Sequence, residues 1–542
     1  MSKFQAISSL FILVFIIIFV TYKITAFSSN HSTTNHSTSN RYIQVQLLGV
    51  NDFHGQLNKY QMVSGTMAGG AEYLAAYLKK YIQKNQNTLL VHAGDMVGGS
   101  PPISSQFKDE PTIELLNLLH FDVGTPGNHE LDQGVNEMKR LIYGGFNKKT
   151  GYFQGANTSY ISANIIDRKS GTPMLPPYVI KQIDGINIGF IGVVTKETNL
   201  YVAPENRKEV EITDEVSAIN GTVKHLKEKG IKVIVVLAHD SAQSDQTGAN
   251  SSGVLVEMAP KIDDEVDVIF AGHSHEYANT VVAGKLIVQA YSNGKAFSQV
   301  NLEIDPHTKN IVKKQAKVIV TSHHQIKPDK ETVALLNKYR KRLGSYFNQI
   351  IGEMPEEITR KQDANGESPL AKMIAESERE AMGVDIAFVH QGEMRKSLKK
   401  GYITVEELYT DMPFGHRVSK LILTGDQIKL ALEQQWAKDY ENRLQTVGLT
   451  YNWDPNAPIG NRIVELKDMK GQEIQPNNEY EVAVSNYLAS GGDNFTAFEQ
   501  GRLVESGPQV VTALIHYIQQ KYPHEIFLHS LKNEGEKYKD LH

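Results

Sequence analysis

The chain has 542 residues, a formal net charge of -5 at pH 7 and no cysteine. This length exceeds what one ordinary core accommodates, so we expect two domains with extensions. The charge provides no basic surface for a nucleic acid, and the lack of cysteine excludes disulfides and restricts any metal site to nitrogen and oxygen ligands.

The N-terminal segment contains an unbroken apolar run from Leu10 to Val20. That length is typical of a signal peptide and is short for a membrane-spanning helix. We therefore predict that residues 1–27 are a signal peptide or an uncleaved N-terminal anchor, and that the protein is extracytoplasmic, either secreted or membrane-anchored. We predict that residues 28–40 are a polar linker, because they contain too few apolar side chains to fold.

The first folded region, residues 41–328, repeats a pattern of apolar strand, polar loop and helix. A further pair of strands is expected within Leu286–Asp305, turning at Ser292-Asn293-Gly294 as in a hairpin. The other predicted strands are Ile43–Val50, Thr88–Ala93, Ile161–Ile166, Ile186–Val194, Ile231–Ala238 and Val266–Ala271, and the predicted helices are Ala71–Ile82 and Thr112–Leu119.

The second folded region, residues 350–525, is also α/β. A charged amphipathic helix over Thr332–Phe347 is placed to connect the two regions, so residues 329–349 are predicted to be a linker. Residues 526–542 are predicted to be a charged tail. The elements expected in this region are helices Pro369–Met382 and Gln427–Lys438 and strands Val384–Val389 and Val482–Ser485.

Side chains that bind metals follow five apolar segments of the first region. Open α/β sheets build their sites where strands give way to loops. In Asp-x-His and His-x-His, alternate residues can point to the same side. The candidate ligands are Asp52, His54, Asp95, Asn128, His239, His273 and His275.

These ligands suit Zn, Mn, Co, Fe or Ni better than Ca. Their number is sufficient for two divalent metal ions that share a carboxylate, for which Asp95 is the candidate. His92 lies at a strand end and is interpreted as structural.

The stretch Gly127-Asn128-His129-Glu130-Leu131-Asp132 adds two residues with a different use. His129 can bind a metal or donate a proton. Asp132 follows it by one helical turn and can orient its ring.

The motifs DFHG, GD, GNHELD, AHD and GHSH, in this order, resemble the calcineurin-like metallophosphoesterase superfamily. With the second region, the resemblance narrows to the exported 5'-nucleotidase family, which includes bacterial UDP-sugar hydrolases and 2',3'-cyclic-nucleotide phosphodiesterases. It implies a four-layer α/β/β/α metallophosphoesterase sandwich followed by a C-terminal α/β nucleotide-binding domain. It also implies His129 as a catalytic residue held by Asp132, one metal at Asp52, His54, Asp95 and His275, and another at Asp95, Asn128, His239 and His273.

The resemblance also implies substrate-binding residues in the second domain. Phe414 and Tyr487 would stack on the two faces of a nucleobase, Asp493 would accept hydrogen bonds from ribose, and Arg395 would contact phosphate. Arg360 is a weaker candidate for a second anion contact. The chain departs from the Gly-rich stretch usual in this family at His390-Gln391-Gly392-Glu393, where Glu393 adds bulk and charge near the expected substrate.

The expected reaction is release of phosphate from nucleoside 5'-monophosphates, with a small-molecule nucleotide as partner and no nucleic acid. A 2',3'-cyclic-nucleotide or 3'-nucleotide phosphoesterase, or a UDP-sugar or nucleoside di- and triphosphate hydrolase, would use the same metal centre. Two further alternatives are a thiosulfohydrolase and a surface binder without enzymatic activity. Phe414 and Tyr487 count against a thiosulfohydrolase, because they favour a substrate with a base. The complete ligand set together with His129 counts against a binder without enzymatic activity.

Overall fold

The computed structural model describes residues 42–63, 65–363, 366–436 and 442–524. The predicted signal peptide or anchor (1–27), the linker (28–40) and the tail (526–542) lie outside the described residues. Among the residues that are described, no helix has both the length and the apolar character needed to cross a membrane.

The first domain contains eighteen strands and eight helices within these ranges. The strands are β1 Ile43–Val50, β2 Tyr60–Val63, β3 Thr66–Gly69, β4 Thr88–His92, β5 Val123–Gly124, β6 Gly145–Asn147, β7 Gly151–Phe153, β8 Ser159–Tyr160, β9 Ile165–Asp167, β10 Tyr178–Ile183, β11 Ile186–Val194, β12 Val210–Ile212, β13 Val233–His239, β14 Val268–Phe270, β15 Tyr277–Val282, β16 Lys285–Ala290, β17 Ala296–Ile304 and β18 Ile311–Val320. The helices are α1 Ala71–Lys84, α2 Pro102–Ser105, α3 Glu110–Leu119, α4 Val135–Tyr143, α5 Thr198–Tyr201, α6 Pro204–Arg207, α7 Glu215–Glu228 and α8 Val254–Met258.

Two six-stranded sheets face each other in this domain, in the orders β18-β17-β1-β4-β5-β8 and β10-β11-β13-β14-β16-β15. The core between them includes Leu47 and Val91 from one sheet and Val235 from the other. Helices α1 and α3 cover the outer face of the first sheet, and α7 and α8 cover that of the second. This helix, sheet, sheet, helix arrangement confirms the predicted four-layer sandwich.

The helices form where their apolar residues share one face. In α1, Leu74, Ala75 and Leu78 are buried at helical spacing, with Glu72 in the first turn and Lys84 in the last. Acidic residues near a helix N-terminus and basic residues near its C-terminus interact favourably with the helix dipole. Each fully buried aliphatic side chain adds about 1.5–3 kcal/mol of hydrophobic stabilisation.

Helix α9, Lys330–Leu343, precedes the second domain and packs on the first domain through Leu336 and Tyr339. The strands of the second domain are β19 Ile350–Met354, β20 Ile386–His390, β21 Gly401–Thr404, β22 Arg417–Thr424, β23 Leu444–Val447, β24 Leu449–Trp453, β25 Ile463–Asp468, β26 Glu479–Ser485 and β27 Arg502–Gln509. Five of them form the central sheet, in the order β23-β20-β26-β22-β27, with helices on both faces. The helices are α10 Pro369–Met382, α11 Val405–Asp411, α12 Gly425–Glu433, α13 Asn486–Ala489 and α14 Val510–Lys521.

The predicted strand Ile161–Ile166 was wrong. The chain crosses from the first sheet to the second here, because the amide of Ile161 donates to Gly124 and that of Ala163 to Gly192. Asn164 completes the crossing, since its side chain accepts from the amide of Val194 and donates to the Val194 carbonyl.

The predicted hairpin at Ser292-Asn293-Gly294 was also wrong. Both strands form, but β16 belongs to the second sheet and β17 to the first. The amide of Asn293 donates to the Asp52 carbonyl at 2.7 Å, which holds the turn beside the end of β1. The segment therefore links the two sheets.

The predicted helix Gln427–Lys438 is shorter than expected and begins two residues earlier. It starts after a capping box formed by Thr424 and Gln427 and ends at Glu433. The carboxylate of Glu433 accepts from the amides of Arg462 and Ile463 and holds the neighbouring strand. Residues 437–441 lie outside the described ranges.

Candidate metal centre

The candidate ligands of the first domain converge at the carboxyl ends of parallel strands from both sheets. Asp52 and His54 follow β1, Asp95 follows β4, and Asn128 follows β5; these three strands are parallel. From the second sheet, His239 ends β13, and His273 and His275 follow its parallel neighbour β14. The two sheets thus bring all seven side chains to one edge of the sandwich.

Two histidines have their tautomers set by backbone carbonyls. Nδ1 of His54 lies 2.9 Å from the Gly98 oxygen, and Nδ1 of His239 lies 2.8 Å from the Ala93 oxygen. A carbonyl only accepts hydrogen bonds, so each Nδ1 carries a proton and Nε2 is the ring nitrogen left to bind a metal. Fixing a ligand histidine through its other ring nitrogen is typical of metal sites.

A carboxylate orients His273 in the same way. Nε2 of His273 donates to Glu197 at 3.2 Å, and its Nδ1 lies 3.1 Å from Oδ1 of Asn128. The hydrogen bond from His273 lowers the pKa of Glu197. Glu197 therefore holds the imidazole with Nδ1 directed toward the other ligands.

The ring nitrogens and side-chain oxygens of the candidate ligands face one another at short distances. Nε2 of His239 lies 3.2 Å from Oδ2 of Asp95 and 3.1 Å from Oδ1 of Asn128. Burial lowers the pKa of His239, but the charge and hydrogen bond of Asp95, the charge of Asp52 and the hydrogen bond to Ala93 together raise it to about 10. A buried set of nitrogen and oxygen donors that attracts positive charge fits divalent cations.

The ligand atoms form three groups whose members lie within 4.8 Å of one another. Asp95 belongs to two of the groups, and so does His54. The groups are Asp52 with His54 and His275, His54 with Asp95 and His129, and Asp95 with His239 and His273.

The loops carrying these ligands have unusual backbone conformations. Five of the seven candidates have a positive φ, which non-glycine residues rarely adopt and which costs about 1–3 kcal/mol per residue. The five are Asp52 (49°), His54 (51°), Asp95 (50°), His273 (72°) and His275 (61°). Such strain is concentrated at functional sites, where the surrounding structure enforces it.

Glu130 helps to enforce this geometry. Its buried carboxylate accepts from the amides of Asp95 and Gly127 through one oxygen and of Met96 through the other. Burial raises the pKa of Glu130 to about 7. One side chain thus ties the loop after β4 to the loop after β5.

His129 lies beside the ligands and is held from both sides. Its Nδ1 donates to Asp132 at 2.8 Å, and its Nε2 accepts from the Arg395 guanidinium at 2.9 Å. Burial lowers the pKa of His129, but the charges of Asp132 and Asp95 raise it by more. The guanidinium of Arg395 comes from the second domain, so both domains contribute to this part of the site.

A cavity of about 830 Å³ opens between the domains, from the metal ligands to the substrate residues expected in the second domain. This volume is within the range of small-molecule sites. Arg395, Phe414, Tyr487 and Asp493 all line it, together with Tyr201 from the first domain. Arg360 is a neighbour of Arg395, to whose carbonyl it donates.

The ring of a histidine, His416, lies next to the rings of both Phe414 and Tyr487. The ring of His416 is nearly parallel to those of Phe414 and Tyr487, with centroid distances of 5.4 and 5.3 Å. Phe414 also lies parallel to His129 at 5.7 Å. His416 therefore borders the region in which a base was expected.

Asp493 already receives several hydrogen bonds. Tyr487 donates to Oδ1 at 2.6 Å, Asn442 donates to Oδ2 at 3.0 Å, and His390 is paired with the same carboxylate. Burial raises the pKa of Asp493, but His390 lowers it by more, to about 2. The carboxylate is thus ionised and firmly positioned.

Sequence reasoning gave no role to five residues that build the site: Glu130, Glu197, His390, His416 and Asn442. Glu130 lies inside the GNHELD motif and His416 two residues after Phe414, so their positions offered a signal. Glu197 and Asn442 follow no motif and are identified only by their contacts. The side chain of His92 is buried beside Tyr160 and belongs to none of the three ligand groups.

Two family models match the chain. Residues 45–277 match calcineurin-like phosphoesterase, and residues 350–500 match the 5'-nucleotidase C-terminal domain.

Two curated relatives match most of the chain. Endonuclease YhcR of Bacillus subtilis is 38% identical over 488 residues, which cover 88% of this chain and 40% of YhcR. Cell wall protein Lmo0130 of Listeria monocytogenes is 31% identical over 528 residues, which cover 88% of this chain and 67% of Lmo0130. This chain thus spans less than half the length of YhcR.

A solved structure shares the fold. The 5'-nucleotidase precursor from Thermus thermophilus superposes with a TM-score of 0.73 and 24% identity. The match covers 88% of this chain and 96% of that one.

Proposed function

We propose, because this chain belongs to the 5'-nucleotidase family of the calcineurin-like phosphoesterases, that it releases phosphate from nucleoside 5'-monophosphates. Membership of the family makes the chain a metal-dependent phosphoester hydrolase. The observation that carries the finer proposal is the cavity in which the metal ligands, His129 and Arg395 meet aromatic side chains of the second domain.

Two divalent ions would be held by the seven ligands, one by Asp52, His54, Asp95 and His275 and the other by Asp95, Asn128, His239 and His273. When bound, such a pair supplies positive charge that activates water and stabilises charge on a reacting phosphate. Zn, Mn, Co, Fe and Ni all suit these donors.

His129 would act on the leaving oxygen of the nucleoside. Asp132 accepts a hydrogen bond from Nδ1–H and leaves Nε2 facing the cavity, where it can hold or deliver a proton. Proton transfer by a positioned side chain contributes about 10²–10⁴-fold to a rate. Since Asn128 and His129 are neighbours, the leaving oxygen would lie next to the metal ligands.

Arg395 would bind the phosphate. Its guanidinium reaches Nε2 of His129 and is largely enclosed, so a phosphate placed there would gain charge-assisted hydrogen bonds. A bound phosphate would accept the hydrogen bond that Arg395 donates to His129 in this structure. The nucleoside would extend toward Phe414, Tyr487 and Asp493.

The division of the chain is part of the proposal. Residues 41–328 would form the catalytic domain, 329–349 the linker and 350–525 the substrate-binding domain. The apolar run at residues 10–20 and the similarity to Lmo0130, which is named a cell wall protein, support an extracytoplasmic location.

A phosphodiester is the second candidate substrate, because YhcR is named an endonuclease. The same ligands, His129 and Arg395 would serve a cyclic nucleotide or a UDP-sugar. A thiosulfohydrolase has less support, since the aromatic and ribose-directed side chains of the cavity would then have no partner.

The test is phosphate release from AMP by the purified chain, first stripped of metal by a chelator and then supplied with Mn or Zn. Restored release supports the proposal. Turnover of bis(p-nitrophenyl) phosphate and 2',3'-cyclic AMP without release from AMP would favour the phosphodiester candidate. No turnover of any of the three with metal restored would refute both.

A further inference from the structure

Glu393 lies in the stretch His390-Gln391-Gly392-Glu393 of the second domain. It ends a short 3-10 helix, Gln391–Glu393, that directly follows β20. Its side chain is only 3% exposed and borders the cavity between the domains. Buried carboxyl groups are usually hydrogen-bonded, and Oε1 of Glu393 has such a partner whereas its Oε2 is buried without one.

The partner of Glu393 is a helix-capping serine. Oγ of Ser485 donates to Oε1 of Glu393 at 2.6 Å, in a contact buried on both sides. The same Oγ accepts from the amide of Leu488 at 3.3 Å and caps α13. A hydroxyl has one proton, so its donation to Glu393 leaves its lone pairs free for the amide.

Helix α13 carries Tyr487, the residue on which the nucleoside side of the cavity depends. The Tyr487 hydroxyl donates to Asp493, and the ring is parallel to that of His416. The second oxygen of Asp493 is bound by Asn442 and His390. A displacement of α13 would therefore move both the aromatic ring and the carboxylate.

We propose that Glu393 is a positioning residue which, through Ser485, sets the place of Tyr487 and Asp493 in the cavity. The proposal rests on the proposed function insofar as these two residues contact the nucleoside. Glu393 itself does not contact the reacting phosphate in this scheme, and its effect is on substrate affinity.

The link does not depend on the charge of Glu393. Burial raises the pKa of Glu393 to about 7, and a protonated carboxyl group still offers a carbonyl oxygen to Ser485. Glutamine offers the same oxygen at the same position. Methionine has a similar volume and lacks the acceptor, so it removes the link while leaving little empty space.

The test compares Glu393→Met, Glu393→Gln and Ser485→Ala in the full chain. Amide hydrogen exchange of a peptide spanning residues 485–493 is measured without substrate, and KM and kcat are measured for AMP and for p-nitrophenyl phosphate. We expect faster exchange in Glu393→Met and Ser485→Ala and wild-type exchange in Glu393→Gln. We expect KM for AMP to rise about tenfold in the first two, the size of one lost hydrogen bond, with p-nitrophenyl phosphate within about twofold.

The exchange measurement and the KM measurement test different parts of the proposal. Unchanged exchange in both Glu393→Met and Ser485→Ala would refute the link. Equal rises in KM for both substrates would refute a role in nucleoside binding. If Glu393→Met does not fold, Ser485→Ala against Ser485→Thr, which keeps the hydroxyl, decides between the same outcomes. A wild-type chain that hydrolyses no nucleotide would refute the proposed function, while the exchange arm still decides the link.

Discussion

Arg395 of the second domain donates a hydrogen bond to Nε2 of His129 of the first, with 2.9 Å between the two nitrogens. The same guanidinium lies 4.8 Å from the centroid of the Phe414 ring, which is itself parallel to His129. The two domains thus meet at a histidine that lies among the metal donors without belonging to the proposed ligand set. In the proposed function, a phosphate bound by Arg395 would lie beside this hydrogen bond.

His129→Ala should lower kcat for AMP by about 10²–10⁴-fold, because it removes proton transfer to the leaving oxygen. The bound metal, measured by plasma mass spectrometry, should remain. His225→Ala is the matched control, since His225 lies on the exposed surface of α7. An unchanged kcat with full metal content would contradict the role given to His129.

Glu197→Ala should weaken metal binding by about 10–100-fold, the usual effect of removing the partner of a ligand histidine. The cause is the loss of the acceptor that directs His273. Competition with a chelator measures the affinity. The control is Glu205→Ala, which removes an exposed carboxylate from the lining of the same cavity. Equal metal affinities in the Glu197→Ala and Glu205→Ala variants would rule out the role of Glu197 in orienting His273 for metal binding.

Phe414→Ala should raise KM for AMP by about 5–150-fold, since one stacked base contributes about 1–3 kcal/mol. KM for p-nitrophenyl phosphate should change much less. Phe146→Ala removes an aromatic ring that is 71% exposed and serves as the control. A similar rise for both substrates would argue against stacking on Phe414.

Glu378→Gln should stabilise the protein increasingly as the pH rises. Burial raises the pKa of Glu378 well above 4.5, so the unfolded chain loses this proton at a lower pH than the folded one. The wild type therefore loses stability from about pH 4.5 upward, through the folded pKa. The difference in Tm between variant and wild type should grow as the pH rises above about 4.5, and a difference that does not change with pH would contradict this prediction. Glu356→Gln, on the surface, should show no such trend.

The fold and much of the site were predictable because their signals are local. Asp52, Asp95 and His239 each follow an apolar run, and parallel strands bring such positions to one edge. The bounds of β1, β11 and α10 coincide with those expected from periodicity. The four-layer architecture was predicted from the resemblance carried by these motifs.

The remainder depends on contacts between distant residues. Asn164 interrupts an apolar run because its side chain bonds to Val194, which no pattern around residue 164 indicates. Asn442 donates a hydrogen bond to Asp493, and no pattern around residue 442 indicates this contact. The positive φ of His273 cannot be inferred from residue type alone, because only a minority of histidines adopt it.

The pairing of β1 with β17 makes the first domain dependent on its own last strands. Ile43 is opposite Ile304, whereas the other edge of β1 pairs with the nearby β4. During synthesis one edge of β1 can be covered early, and the other stays open until nearly the whole domain has been made. Domains that depend on strand pairing between residues far apart in the sequence fold slowly, and an open strand edge promotes aggregation. A chain interrupted anywhere before Ala296 would leave that edge exposed, so translation of the first domain must finish before its sheet can close.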